Sequence, residues 1–169
     1  MMSGSRMRRM IMKRGISIIT LAFFIIAFTG CSVKVSETTP MTAKEFKTEM
    51  EEKGLSVVDQ IDSANGDSSY QDIYVATDGD KYSFEYYFMT DPESAKNVFT
   101  TATETLDANY KDDSSAVIIA NSTDESGKYE VTASDYYCVV CQNQNTVLYL
   151  TSNIAYKDEA QDILKDLGY

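Results

Sequence analysis

From Ile16 to Phe28 the chain is apolar at every position except Ser17 and Thr20, a run of 13 residues with no polar face. Beyond it the apolar residues come in short periodic stretches. Phe46 and Met50 lie four apart behind Thr42-Ala-Lys-Glu45, a capping box in which each side chain satisfies the other's backbone N–H, and Gly54 suits the stop, so a helix is predicted. Leu55 to Val58 reads as a short strand, and 62–69 (DSANGDSS) as a turn-rich loop. Ile73 to Thr77 and Lys81 to Met89 flank Asp78-Gly79, a two-residue hairpin signal. That turn predicts Val75 opposite Tyr82, Ile73 opposite Phe84 and Gln71 opposite Tyr86, all on one apolar face with Phe88. Asp72, Tyr74, Glu85 and Tyr87 then fall on the outer face, with Asp72 opposite Glu85.

Asp91-Pro92-Glu93 opens a second helix, with Asp as cap and Pro in the first turn. Its stripe is Ala95, Val98, Phe99, Ala102 and Leu106, and it ends in the polar stretch 107–115. The apolar hairpin face is expected to receive this stripe, with Phe84 and Phe99 at the centre. Four more strands are predicted, over 116–120, 128–132, 136–141 and 146–151. A closing helix follows from about 155 to 167, with Tyr156, Ala160, Ile163, Leu164 and Leu167 as its stripe. The order α-β-β-β-α-β-β-β-β-α predicts an α+β domain, a twisted antiparallel sheet of six or seven strands with helices packed on one face.

The early apolar run is too short for a bilayer span, which needs roughly 20 residues, and suits the core of a signal peptide. Five basic residues precede it (Arg6, Arg8, Arg9, Lys13, Arg14) and no acidic one does, which holds the N-terminus on the cytoplasmic side. It closes in Phe28-Thr29-Gly30-Cys31. On these residues the chain resembles a bacterial prolipoprotein, although the position three before the cysteine, usually Leu in that family, is Phe28. The resemblance implies cleavage between Gly30 and Cys31 and a diacylglycerol on the Cys31 thiol. Two acyl chains suffice for stable attachment where one does not. The chain thus divides into a signal peptide (1–30), a lipidated cysteine and flexible tether (31–41) and one domain (42–169), held at the extracytoplasmic face of the cell membrane. The mature part also resembles the small single-domain lipoproteins of Gram-positive bacteria in its length, in Asn145-Thr-Val-Leu-Tyr-Leu150 and in the closing Leu167-Gly-Tyr169. That likeness implies compartment and fold, and no functional residue beyond Cys31.

Charge narrows the partners. The signal holds five of the 15 basic residues and none of the 26 acidic ones, leaving the mature chain ten against twenty-six, a net of −16. Such a surface repels nucleic acid and anionic lipid, both of which are bound through Lys and Arg. Histidine is absent, which removes Ser-His and Cys-His nucleophile systems and His-containing metal sites.

Few residues carry candidate chemistry. Cys138-Val-Val-Cys141 has redox spacing, but it lies in a run of strand formers. There, residues three apart point to opposite faces roughly 10 Å apart, beyond disulfide reach. The acidic groups at 78–80 and 107–113 match no calcium loop, and no metal or cofactor is assigned. Tyr74 and Tyr87 form the candidate binding face, since tyrosines bring apolar area with few rotors. The sequence therefore favours a non-catalytic module, joined to the bilayer through Cys31, that binds an envelope protein or polymer. The alternative is a small envelope hydrolase using paired carboxylates, which need no local motif.

Overall fold

The computed structural model describes residues 39–169. The signal peptide, Gly30, Cys31 and the tether as far as residue 38 lie outside the described residues. The domain runs α1 (Ala43–Glu52), β1 (Ser56–Asp59), β2 (Tyr70–Asp78), β3 (Tyr82–Met89), α2 (Pro92–Tyr110), β4 (Val117–Ser122), β5 (Ser126–Thr132), β6 (Tyr136–Asn143), β7 (Thr146–Asn153) and α3 (Lys157–Asp166). Single 3-10 turns at Ile61–Ala64 and Ile154–Tyr156 interrupt the connections. It is an α+β fold with the element order read from the sequence. One open antiparallel sheet has the strand order β1-β2-β3-β7-β6-β5-β4, with α2 carrying the chain from the sheet's middle to its far edge.

Local chemistry sets the helix starts. Thr42 N–H donates to Glu45 Oε2 at 2.8 Å and Glu45 N–H to Thr42 Oγ1 at 3.3 Å, the expected capping box. Asp91 caps α2, its Oδ1 accepting from Ser94 N–H at 2.8 Å, with Pro92 in the first turn. Met41, read as the last residue of the tether, packs against the core, and its carbonyl accepts from the Tyr86 hydroxyl.

The β2–β3 hairpin departs from the expected register. Asp78 pairs with Tyr82, so the loop is three residues, Gly79, Asp80 and Lys81. Lys81 N–H donates to the Asp78 carbonyl at 3.0 Å and its ammonium to the Asp78 carboxylate at 2.7 Å, while Gly79 takes φ 51°, which favours glycine. The pairing is offset from the expected one by an odd number of residues, and that exchanges the faces of one strand relative to the other. Phe84 now faces Ala76, Tyr86 faces Tyr74 and Tyr87 faces Ile73. Asp72 lies across from Phe88 and Glu85 from Val75, so the expected carboxylate pair does not form. The observed register stacks Tyr86 on Phe46 of α1, with ring centroids 4.6 Å apart, and that packing outweighs the local turn preference.

The helices also occupy both faces of the sheet, where one face was expected. On one side α1 and α3 bury Phe46, Met50, Ile163 and Leu164 against Phe84, Tyr86, Tyr137, Val139, Leu148 and Leu150. On the other α2 places Ala95, Val98, Phe99 and Leu106 against Met89, Val131, Cys138, Val140 and Val147. Phe84 and Phe99 therefore sit in separate cores. The reason lies in β6 and β7, which are apolar at successive positions. Such strands have no wet face and need cover on both.

Candidate binding edge

α2 ends over a tight turn that aims the chain into β4. Lys111 N–H donates to Asp107 O at 2.8 Å and Asp113 N–H to Tyr110 O at 3.0 Å. The Asp113 carboxylate accepts from Ser115 Oγ at 2.7 Å and Ser115 N–H at 2.8 Å, and these bonds hold it below the usual carboxylate range. At the far end Thr123 and Ser126 close the β4–β5 hairpin, with Thr123 N–H on Ser126 O at 2.6 Å and Ser126 N–H on Thr123 Oγ1 at 3.1 Å. Both ends of β4 are thus fixed by short-range bonds.

The strand itself reads Val-Ile-Ile-Ala-Asn-Ser, and every residue is exposed. Val117 is 59 % accessible, Ile118 39 % and Ile119 57 %. β4 is the last strand of the sheet and pairs with β5 alone among the described residues. Ile118 lies across from Val131 on the α2 face, and Val117 and Ile119 lie across from Thr132 and Glu130 on the other. Helix contacts fall on its neighbour β5. On one face α2 stops over β5, where the Phe99 ring rests on Gly127 so closely that a Cβ there would sit 2.7 Å from it, and Tyr129 OH reaches Asp107 at 3.2 Å. On the other face α3 stops at the same strand, with Lys157 Nζ on Thr132 Oγ1 at 3.0 Å and 4.7 Å above the Tyr137 ring.

Charge surrounds this apolar edge without entering it. No ionisable residue lies between Ser114 and Thr123, while Asp112 and Asp113 precede the stretch and Asp124 and Glu125 follow it. Lys96 on α2 approaches Asp124 at 3.2 Å, with both groups well exposed, so the pair is weak.

The sequence-designated tyrosines are not neighbours here. Tyr74 lies on the α1 face, half-buried, with the Lys47 ammonium 5.9 Å from its ring centre. Tyr87 lies on the α2 face, half-buried, with its ring 6.1 Å from that of Tyr70 and its hydroxyl donating to Glu85. The register that separates them also removes the shared face expected of them. Cys138 and Cys141 are free and buried in opposite cores, as their spacing predicted, and burial pushes the Cys141 thiol up to about 12.

A concavity of about 800 Å³ lies between residues 39–42, α1 and the end of α3. Its carboxylates are all engaged. Glu45 belongs to the capping box, and Glu49 and Asp166 flank the Lys53 ammonium at 3.3 and 2.6 Å. Among the described residues no group of three or more Cys, Asp or Glu is placed to hold a metal ion, and no helix is long and apolar enough to cross a membrane.

The edge at β4 was missed by sequence reasoning although a signal was present. Val117-Ile118-Ile119 is apolar at three successive strand positions, so it presents apolar side chains to both faces. A strand of that kind belongs in a sheet's interior or against a partner. No protein-family model matches the chain, and neither a curated protein nor a solved structure does.

Proposed function

We propose that this chain is a lipid-anchored protein of the cell envelope whose folded domain is a non-catalytic binding module, and that it binds through the open edge of its sheet at β4. The observation that carries the reading is the exposure of Val117, Ile118 and Ile119 on a six-residue edge strand. Proteins ordinarily guard such an edge with charge, proline, a bulge or a covering element, because its unpaired backbone templates further strands. Where no guard is present, addition of a partner's strand is the recognition mode that the geometry serves. The anchor rests on the sequence alone, on the short apolar run ending in Thr29-Gly30-Cys31.

Two experiments test the two parts. Replacing Cys31 with Ala is expected to release the protein from membranes and leave the precursor uncut. A fatty acid still found on the Cys31→Ala protein by mass spectrometry contradicts the anchor. For the edge, a photo-crosslinking residue is placed at Ile119 or at Val58 in the full chain in its host cells. Adducts with an envelope component are expected from position 119 and not from 58. Their absence from 119 removes the binding edge.

A further inference from the structure

We infer that the occupant of the β4 edge is an extended segment of another protein, apolar at its centre on both faces and bearing lysine or arginine at both ends. The inference rests on the reading of β4 as the binding edge and adds the chemistry of what it receives.

The centre follows from the side chains. A strand paired with β4 lies beside Val117 and Ile119 on one face and beside Ile118 on the other. Its own central residues therefore meet apolar neighbours above and below, and β-branched or aromatic residues fill such positions best. The length follows from the strand. Six residues at about 3.3 Å each span about 20 Å, so the flanks of the incoming segment fall near the two ends of β4.

The ends follow from charge. Asp112 and Asp113 stand at one end and Asp124 and Glu125 at the other, and the mature chain as a whole carries −16. Lys111 and Lys96 offset only part of this. An incoming segment with cations at both ends is attracted in either direction, and one with acidic ends is repelled in either.

The same arithmetic disfavours a second copy. An antiparallel pairing of β4 with itself about Ile118 sets Val117 against Ile119, a good apolar match, but brings the 112–113 end of one copy beside the 124–125 end of the other. Those ends are acidic on both copies, each of which carries the same net negative charge, and the repulsion disfavours the pairing.

The test uses the full chain in detergent and three labelled nonapeptides, KKTVIVTKK, EETVIVTEE and KKTVPVTKK, read by fluorescence anisotropy. Sedimentation velocity is run on the same samples. KKTVIVTKK is expected to bind saturably and to weaken as salt is added. The acidic and proline peptides are expected to bind at least about tenfold more weakly, since one reverses the end charges and the other removes a ladder donor. Ile119→Lys is expected to lose the binding and Val58→Lys to keep it, with circular dichroism confirming that both fold. Asp112→Asn combined with Asp124→Asn, which leaves the apolar strand intact, is expected to weaken KKTVIVTKK about fivefold. Equal binding of the basic and acidic peptides overturns the inference. So does a dimer that Ile119→Lys dissolves, which makes a second copy the occupant. So does binding that appears only after deletion of residues 32–38, which makes the chain's own tether the occupant. Crosslinks from position 119 with no peptide bound overturn the occupant alone, and loss of both overturns the binding edge with it.

Discussion

The sheet has two edges, and they are built differently. β1 is four residues long and touches α1, with Val57 half-buried against the core and Ser56, Val58 and Asp59 exposed. It ends at Asp59, whose carboxylate accepts from Ile61 N–H at 2.9 Å, and the 3-10 turn that follows carries the chain off the edge line. Gln60 N–H then donates to Ile73 O at 2.8 Å, extending the join to β2 beyond the strand. β4 is longer and exposes three β-branched apolar residues in succession. One edge is short and turned away, with one of its four side chains against the core, and the other is longer and exposed along its whole length. Exposed apolar residues on a monomer mark binding surfaces when they are contiguous, and these are contiguous along one strand.

The largest effects belong to the covered part of the sheet. Phe84 is fully buried between β2, β7 and the helices, and Phe84→Ala is expected to cost about 3–5 kcal/mol in denaturant unfolding. Ile119→Ala also truncates a large apolar side chain, three carbons where Phe84→Ala removes six, and on the open edge it is expected to stay within about 0.5 kcal/mol of the parent. A loss of 2 kcal/mol or more at Ile119 erases the contrast between the two regions, because it places β4 in the core.

A middle-sized effect locates the boundary between covered and open sheet. Gly127 on β5 lies under the Phe99 ring, and Gly127→Ala is expected to push that ring aside at a cost of about 1–3 kcal/mol. Thermal unfolding measures it. A neutral substitution shows that α2 does not seat on β5 as described.

The cysteines sharpen the contrast without mutation. Cys138 and Cys141 stand on β6, flanked by strands on both sides and helices on both faces. Burial raises both thiols, Cys141 to about 12, so native alkylation at pH 8 is expected to be slow for both and fast once the chain is unfolded. A mass two daltons low in unreduced protein, mapped to their shared peptide, contradicts the strand geometry.

The smallest expected effect is at the entry to β4. Asp113 is held below the usual carboxylate range by its bonds to Ser115. A carboxylate with a depressed folded value contributes stability that is complete above its unfolded value and is lost as pH falls through the folded one. The turn into β4 is therefore expected to loosen only in acid below the ordinary aspartate range. Asp113→Ala is expected to show the same loosening at neutral pH, as faster amide exchange at 116–118 with unchanged exchange in β6. Equal acceleration across the sheet contradicts a local role.

Element identity was legible because its signals are local. The Thr42–Glu45 box, the Asp91-Pro92 start and the stripe from Ala95 to Leu106 each act within a turn or two of helix. What escaped was decided at long range. The hairpin register turned on Tyr86 meeting Phe46 and on Lys81 closing a three-residue loop, neither of which a two-residue turn signal contains. The helix faces turned on β6 and β7 lying at the sheet's interior. β4 was recognised as a strand, but its place at the edge depends on β3 pairing with β7, which no local pattern encodes. Tyr74 and Tyr87 were grouped by that same register and were separated with it.

Hydrogen exchange of the full chain with and without KKTVIVTKK compares the two edges directly. The account predicts protection gained at Val117–Ser122 on peptide binding, with exchange at Ser56–Asp59 unchanged. Protection at β1, or at neither edge while the peptide is bound, contradicts it.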